Sequence, residues 1–161
     1  MSSSADIREA LTPELVKIAQ SLFREYADSI GVDLAFQDFA RELEELPGKY
    51  APLSGGLFMA FVDNIPAGCV ALRGLAPPGI AELKRLYVRP QARGLGLGRL
   101  LTETAVQRAL KAGYRTIRLD TLSTMVSARQ LYQRMGFKEI PAYTFNPIPG
   151  AVYMELDLGA R

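Results

Sequence analysis

The chain has 161 residues, the length of one domain, so we expect a single domain over residues 1–161. Its composition, 48% hydrophobic and 22% charged, is typical of a soluble globular fold, and no apolar run approaches the roughly 20 residues of a membrane span. The 19 basic and 17 acidic residues give a net charge of +2, which predicts neither a nucleic-acid partner nor a membrane partner.

Two helices are predicted in the first third of the chain. Thr12 followed by Pro13 is typical of an N-cap and a first helical position, and places the first helix at 13–30. The second helix is shorter and is expected to end at Pro47. The apolar residues at helical spacing are Leu15, Ile18, Ala19, Leu22, Phe23 and Tyr26 in the first helix, and Phe36, Phe39, Ala40 and Leu43 in the second.

From Leu57 onward, strands and helices follow one another. Apolar runs on either side of a turn at 64–66 predict an antiparallel hairpin, and Gly113 and Gly136 are expected to end two helices. The predicted strands lie at 57–63, 67–75, 80–88, 114–121, 137–143 and 151–158, and the later helices begin near Gly98 and span 128–135. We therefore expect an α/β (α+β) fold, with a mixed, mostly antiparallel sheet of about seven strands flanked by about four helices.

The strand at 80–88 breaks the alternation expected of a regular strand. Leu83 lies at an odd position, whereas Leu86 and Val88 lie at even positions, so all three cannot share one face. A β-bulge with an extra residue at 84–85 would restore a common face. It would also separate this strand from its neighbour and leave unpaired backbone groups along a slot. The alternative is a strand end that is buried on both faces.

The numbers of histidine and cysteine residues limit the catalytic and metal sites that the chain can form. The chain has no histidine and one cysteine, Cys69. Histidine-dependent nucleophiles, histidine zinc sites, thiolate clusters and internal disulfides are therefore excluded, and no metal site is expected. Cys69 itself is expected to be a small buried hydrophobic residue. The single thiol, with no signal-like pattern in MSSSADIREALTPE, favours a cytoplasmic protein.

The segment QARGLGLGRLL (91–101) joins a strand to a helix. Its three glycines, Gly94, Gly96 and Gly98, leave backbone N–H groups unobstructed where a helix N-terminus adds partial positive charge, which suits phosphate binding. Arg93 and Arg99 add full charges. The spacing fits neither the dinucleotide fingerprint nor the NTPase phosphate loop. Close packing of the helix on a strand is the alternative explanation of the glycines.

Two motifs in the second half of the chain resemble the signature of one protein family. The first, Arg/Gln-x-x-Gly-x-Gly/Ala, is matched by Arg93, Gly96 and Gly98. The second, Ala-x-x-Leu-Tyr-x-x-x-Gly-Phe, is matched by Ala128, Leu131, Tyr132, Gly136 and Phe137. Together they resemble the signature of the GNAT superfamily of N-acetyltransferases. The resemblance implies that acetyl-CoA (coenzyme A) is the co-substrate and that the glycine segment holds its pyrophosphate.

By this resemblance, the cofactor site comprises the strand end after the expected bulge, the glycine segment and the start of a later helix. The implied residues are Leu86, Tyr87, Val88, Arg93, Gly94, Leu95, Gly96, Leu97, Gly98 and Arg99, and Ser127, beside the matched alanine, is expected to add a polar contact. Many relatives carry an asparagine where this chain has Met125. The segments LDTLSTM and PAYTFNP resemble those of a large bacterial-type subgroup of unsettled substrate.

The reaction implied by the resemblance is direct attack of a neutral amine on the acetyl thioester, in a ternary complex. The N–H groups at 86–88 are expected to stabilise the oxyanion. Tyr132 matches the family's partner of the departing thiolate, whereas its helical spacing taken alone favours a core position. Glu82 is the candidate base, acting through water. Its alternative is a strand residue that is solvated or ion-paired with the neighbouring Lys84 or Arg85. Weaker candidates near strand ends are Asp120, Tyr143 and Asn146.

Three functions follow as alternatives. The first is an enzyme that acetylates the primary amine of a small molecule or amino acid. The second is a protein or peptide N-acetyltransferase, and the third is a non-catalytic acyl-CoA-binding module. Many members of the family are dimers, which leaves a homodimer open.

Overall fold

A single mixed β-sheet organises the protein in the computed structural model, which describes residues 4–31, 33–35 and 38–160. The strands are β1 (Ala5–Glu9), β2 (Gly56–Val62), β3 (Ile65–Gly74), β4 (Ile80–Val88), β5 (Thr116–Leu122), β6 (Lys138–Ile140) and β7 (Ala151–Asp157), and the helices are α1 (Pro13–Ile30), α2 (Phe39–Glu45), α3 (Leu97–Lys111) and α4 (Val126–Arg134). Within this part of the chain the strand order is β1-β2-β3-β4-β5-β7-β6. Neighbouring strands are antiparallel except for β4 and β5, which run parallel. The fold class predicted from the sequence is confirmed.

The first two helices lie where the sequence predicts them. At the start of α1, the Thr12 side chain accepts a hydrogen bond from the backbone N–H of Leu15 at 3.3 Å. The helix ends at Gly31, whose φ of 65° suits a glycine C-cap. α2 ends shortly before Pro47, and Phe36, which its spacing assigns to this helix, lies outside the described residues. No helix in the described ranges combines the length and apolar character needed to cross a membrane.

The β2–β3 hairpin turns one residue earlier than the sequence predicts. Its turn consists of Asp63 and Asn64, whose φ values of 50° and 67° fit a two-residue hairpin turn. The predicted turn at 64–66 is wrong in its last two positions, because both residues belong to β3. Pro66 is tolerated because it lies where the register between β2 and β3 shifts.

The two outermost strands also differ from expectation. The sequence does not predict β1, because Asp6 and Arg8 obscure the alternation and Ile7 is the residue that packs against the core. β6 is much shorter than the predicted strand at 137–143. It ends before Pro141, which has no N–H to donate to a neighbouring strand.

Helices cover both faces of the sheet. α3 and α4 pack on one face, over a core that includes Leu72 and Ile117, whereas α1 packs on the other face, over a core that includes Met59. Cys69 is fully buried in the second core, as predicted, and its Sγ donates a hydrogen bond to the Arg85 carbonyl at 3.3 Å. Burial raises the pKa of this thiol.

β4 carries the bulge that the sequence predicts, one residue beyond the expected position. Lys84 pairs with Ala71 of β3, and Tyr87 pairs with Cys69, so two residues of β4 lie opposite one residue of β3. Arg85, the first of the two, has a φ of 61°, a left-handed conformation that is uncommon outside glycine. The extra residue is therefore placed at 85–86.

The bulge has the two consequences that were expected of it. Leu83, Leu86 and Val88 share the core on the α3 face. The parallel pairing of β4 with β5 ends at Glu82 and Arg118, after which the two strands diverge. This divergence creates the opening in which the candidate site lies.

Candidate active site

A cleft opens where β4 and β5 separate. Its enclosed volume is about 50 Å³, and the empty space reaches about 580 Å³ only when the adjoining open solvent is included. Residues 83–86 of β4 form one wall, and residues 120–122 of β5 form the facing wall. Tyr26 of α1 lines the cleft from one face of the sheet, and Tyr132 of α4 lines it from the other. The cleft therefore connects the two faces at the bulge.

The glycine turn at the start of α3 is open to solvent and to a ligand. Gly94 and Gly96 have φ values of 87° and 76°, and a Cβ added at either would meet no atom within 4 Å. Gly96 is the N-cap, and no side chain of the described residues caps the helix. The first N–H groups of α3 are therefore available to an anion. Arg93 and Arg99 are exposed beside them, as is Leu95, which supports the predicted role of this turn in phosphate binding.

Leu97 and Gly98, at the start of α3, are less exposed than the glycine turn before them. Leu97 is buried in the core. A Cβ added at Gly98 would lie 3.4 Å from Cδ2 of Leu131, which is an ordinary van der Waals contact, so the spacing of α3 and α4 does not require a glycine here. The phosphate role of the glycine turn stays a prediction, and close packing of α3 is not what requires a glycine at 98. The contact between Gly98 and Leu131 also brings the two sequence motifs together.

At the N-terminus of α4, this chain has Met125 where many relatives carry an asparagine. Met125 occupies the N-cap position and makes no side-chain capping bond, whereas an asparagine there could accept from the helix N–H groups. The Met125 sulfur instead accepts a hydrogen bond from Oγ1 of Thr121 at 3.5 Å, across the cleft wall. Ser127 is exposed in the first turn of the helix, where its role toward the cofactor stays a prediction.

The strand end after the bulge is held from the α1 side. Tyr87 is buried, and its hydroxyl donates to Oε1 of Glu25 at 3.2 Å, which also accepts from Nε of Arg89 at 2.9 Å. Leu86 lines the cleft, and Val88 is partly buried against the core. These contacts fix the backbone at 86–88, the segment predicted to supply oxyanion donors.

Tyr132 combines a core ring with a hydroxyl at the cleft. The side chain is 5% exposed, and its ring lies 5.4 Å from that of Phe137, centroid to centroid. Its hydroxyl has no hydrogen-bond partner among the described residues, although the residue lines the cleft. Burial raises the pKa of Tyr132, which keeps the phenol protonated at neutral pH. The side chain is therefore placed to donate one hydrogen bond into the cleft.

Glu82 lies on the opposite face of the sheet, one position before the cleft wall. It is 4% exposed, and its Oε2 accepts a hydrogen bond from the Tyr143 hydroxyl at 2.7 Å. Burial raises the pKa of Tyr143, and the charge of Glu82 raises it further. The ion-pair alternative for Glu82 is wrong, because Lys84 pairs with Asp120 and Arg85 pairs with Glu42.

The weaker candidates join two polar clusters on this face. Nδ2 of Asn146 donates to Oδ2 of Asp120 at 3.0 Å, and Asp120 faces Lys84 across the cleft. Sequence reasoning did not assign a site role to Lys84 or to Tyr26. The predicted bulge could have drawn attention to Lys84. At the bulge, both Lys84 and its neighbour Arg85 contact residues on the α1 face of the sheet.

Solved structures of acetyltransferases share this fold. The acetyltransferase of the GNAT family from Staphylococcus aureus Mu50 matches this chain with a TM-score of 0.80 at 19% identity, over 96% of this chain and 99% of that one. A Salmonella typhimurium protein whose structure contains its cofactor acetyl-CoA matches with a TM-score of 0.67 at 18% identity, over 96% of this chain and 94% of that one.

Sequence comparison gives the family. The model of the acetyltransferase (GNAT) family matches residues 14–137, and the chain belongs to this family. An uncharacterized N-acetyltransferase of Schizosaccharomyces pombe is 41% identical over 97% of this chain and 96% of that protein. An N-acetylaspartate synthetase of Xenopus tropicalis is 26% identical over 72% of this chain and 43% of that protein. The protein is an acetyl-CoA-dependent N-acetyltransferase, which confirms the resemblance in its motifs.

Proposed function

We propose that the enzyme transfers the acetyl group of acetyl-CoA to the primary amine of a small molecule or amino acid, by direct attack in a ternary complex. The observation that carries this proposal is the cleft through the sheet. Tyr132 lines it from the α4 face, and Tyr26 with Asp120 lines it from the α1 face. A thioester and an amine can therefore meet at the bulge from opposite sides without either displacing the other.

The donor side of the site is assigned to the turn at the start of α3. The uncapped N–H groups after Gly96 and the charges of Arg93 and Arg99 suit the pyrophosphate of coenzyme A. From this turn to the bulge, the pantetheine arm would follow the diverging edge of β4. Leu86 lines the cleft at that edge and would lie next to the thioester.

The residues of this chain have three tasks in the reaction. Backbone N–H groups at 86–88 stabilise the negative charge that forms on the carbonyl oxygen when the amine nitrogen bonds to the carbonyl carbon. Tyr132 donates a hydrogen bond or its proton to the sulfur as the carbon–sulfur bond breaks. Glu82, reached through water, takes the proton that the amine loses. Because the pKa of Tyr132 is raised, hydrogen bonding to the thiolate is favoured over complete proton transfer.

The acceptor side of the site supports a small charged amine. Asp120 and Asn146 offer polar groups to an ammonium in a confined space. The name of the Xenopus tropicalis relative, N-acetylaspartate synthetase, describes an N-acetylated amino acid, which supports the same class of acceptor. We place the enzyme in the cytoplasm, which suits the single buried thiol of Cys69.

A turnover screen tests this function. Purified enzyme with acetyl-CoA is assayed against amino acids, polyamines, aminoglycosides and peptides, and free thiol release is compared with a reaction that contains no amine. We expect acetylation of a small amine, with its acetylated product identified by mass. Turnover of peptides only would favour a protein N-acetyltransferase. If acetyl-CoA binds but none of these amines raises the rate above the amine-free control, the proposed acceptor class is wrong.

A further inference from the structure

Lys84 is a buried cation whose hydrogen-bonding groups are not satisfied. Its side chain is 9% exposed, and its Nζ lies 3.7 Å from Oδ1 of Asp120, which is beyond hydrogen-bond distance. Among the described residues, no atom accepts a hydrogen bond from this ammonium, which has three donors. Burial lowers the pKa of Lys84 from its ordinary value, although the charges of Asp120 and Glu82 act in the opposite direction. The N–H donors of Lys84 are therefore open to a hydrogen-bond acceptor that enters the cleft.

Two arginines near the cleft already donate hydrogen bonds to carboxylates. Arg85 donates two hydrogen bonds to the carboxylate of Glu42, at 2.9 and 3.0 Å. Arg118 donates to Oε1 of Glu155 at 2.9 Å. Within the described ranges, Lys84 is therefore the cation of the cleft with donors to spare.

The phosphates of the cofactor do not account for Lys84. The uncapped start of α3 lies on the opposite face of the sheet from Lys84, whose partner Asp120 lies on the same face as Glu82. The anion that meets Lys84 must instead come from the α1 side, the side assigned to the amine. Asp120 beside it can receive the ammonium of the same molecule. A lysine next to an aspartate thus matches a compound that carries a carboxylate next to its amine.

We propose that Lys84 binds the carboxylate of the acetyl acceptor, so that the acceptor is a free amino acid and not a simple amine. This inference rests on the proposed function and narrows its acceptor class. The acceptor's carboxylate contacts Lys84 while its amine lies near Asp120, within reach of the thioester at the bulge. An amide or a polyamine would leave the N–H donors of Lys84 without an acceptor, and the site would favour the acid over it.

The test compares each amino acid with its own carboxamide, because the pair has the same side chain and differs in the carboxylate. With the wild-type enzyme we expect kcat/KM for the acid to exceed that for the carboxamide by about tenfold or more. Lys84→Met should lower kcat/KM for the acid to the level of the carboxamide, mainly through KM, and leave the carboxamide nearly unchanged. Lys84→Arg should retain a preference for the acid. Lys111→Met, an exposed lysine of α3, is the matched control and should behave as wild type.

Loss of folding is controlled separately. Lys84→Met leaves Asp120 without its cation, so the double variant Lys84→Met with Asp120→Asn removes both charges together. Thermal unfolding and coenzyme A binding establish that each variant is folded. Calorimetry of the acid and the carboxamide, in the presence of coenzyme A, gives the same comparison without turnover.

Two results would overturn the inference. One is a wild-type enzyme that binds and acetylates carboxamides as well as acids. The other is a folded Lys84→Met variant that keeps the preference for the acid. Failure of the proposed function has a different signature, in which neither form of any amine is acetylated although acetyl-CoA binds.

Discussion

Arg85 and Glu42 form a bidentate ion pair that joins the bulge of β4 to α2. Nε of Arg85 donates to Oε2 of Glu42 at 2.9 Å, and Nη2 donates to Oε1 at 3.0 Å, although the residues are 43 positions apart. The Arg85 side chain is 1% exposed, and its guanidinium stacks 5.2 Å from the ring of Phe39. Nζ of Lys49 lies 3.2 Å from the same carboxylate. The pair therefore holds α2 against the strand that lines the cleft.

Removing the charge of Glu42 should destabilise the fold. Glu42→Gln keeps the volume of the side chain but leaves the buried guanidinium of Arg85 without its counter-ion, so we expect a loss of about 3 kcal/mol in the free energy of unfolding. Urea unfolding followed by circular dichroism measures this loss. Glu45→Gln on the same helix is the matched control, because the Arg41–Glu45 pair is exposed and should contribute little. Equal losses in the two variants would contradict this account of the pair.

The contribution of Glu42 should also depend on pH. Burial alone would raise the pKa of its carboxyl, but the hydrogen bonds and charge of Arg85 outweigh burial and lower the pKa from its ordinary 4.5. A lowered pKa in the folded state gives stability that is present above the unfolded value and is lost as the pH falls through the folded value. The stability difference between wild type and Glu42→Gln should therefore shrink below about pH 4.5. A stability difference between the two proteins that stays constant down to pH 3 would contradict the lowered pKa of Glu42.

Local patterns predicted most of the fold. The α1 cap follows from Thr12 and its neighbours, and the bulge follows from the broken alternation of Leu83 and Leu86. The hairpin turn was misplaced although Asp63-Asn64 is a favourable two-residue turn, because Pro66 was taken as part of it. β1 was not predictable from alternation, since an edge strand needs only one apolar residue on its buried side.

The site was predictable only where a motif or a local pattern marks it. The motifs predict roles for Tyr132 and the glycine turn, and the bulge predicts the opening in which the cleft lies. The pairing of Arg85 with Glu42 depends on where α2 packs, which no local pattern reveals. The unsatisfied donors of Lys84 became visible only once the neighbours of its ammonium were known.

The phosphate role of the glycine turn predicts a specific loss of cofactor binding. Gly96→Glu places a side chain and a negative charge at the uncapped start of α3, so the affinity for coenzyme A should fall by at least about tenfold, roughly 1.4 kcal/mol. Calorimetry measures the affinity. Gly113→Glu is the control, because its φ of 88° is equally positive and a Cβ there also meets no atom within 4 Å. The assignment fails if both variants fold and bind coenzyme A equally well.

The role of Glu82 predicts a change in the pH–rate profile. If Glu82 relays the proton from the amine through water, Glu82→Gln should lower kcat and move the acidic limb of the profile. The exposed Glu139→Gln serves as the control, because it removes a carboxylate from the edge strand β6. A profile that keeps both its height and its shape in Glu82→Gln would show that the bond from Tyr143 to Glu82 is structural.

A substitution that removes one oxygen atom can distinguish the core role of Tyr132 from its proposed catalytic role. Tyr132→Phe removes the hydroxyl and keeps the ring against Phe137, so the free energy of unfolding should change little. The hydroxyl has no partner within the described part of the chain, so its removal leaves no protein group unsatisfied. Acetyl-CoA should bind with near wild-type affinity, while the single-turnover rate of acetyl transfer falls. A loss of about 10²–10⁴-fold would indicate proton donation to the thiolate.

The raised pKa of Tyr132 makes a smaller loss the expected result. Because burial disfavours the phenolate, complete proton transfer to the sulfur is uphill, and a hydrogen bond that stabilises the thiolate should change the rate by roughly tenfold. Single-turnover kinetics are required, since slow product release would conceal either effect. Tyr114→Phe is the matched control: it removes a hydroxyl that donates to the Ser54 carbonyl at 2.6 Å, away from the cleft, and should leave the rate unchanged. If folded Tyr132→Phe transfers acetyl at the wild-type rate, Tyr132 belongs to the core alone.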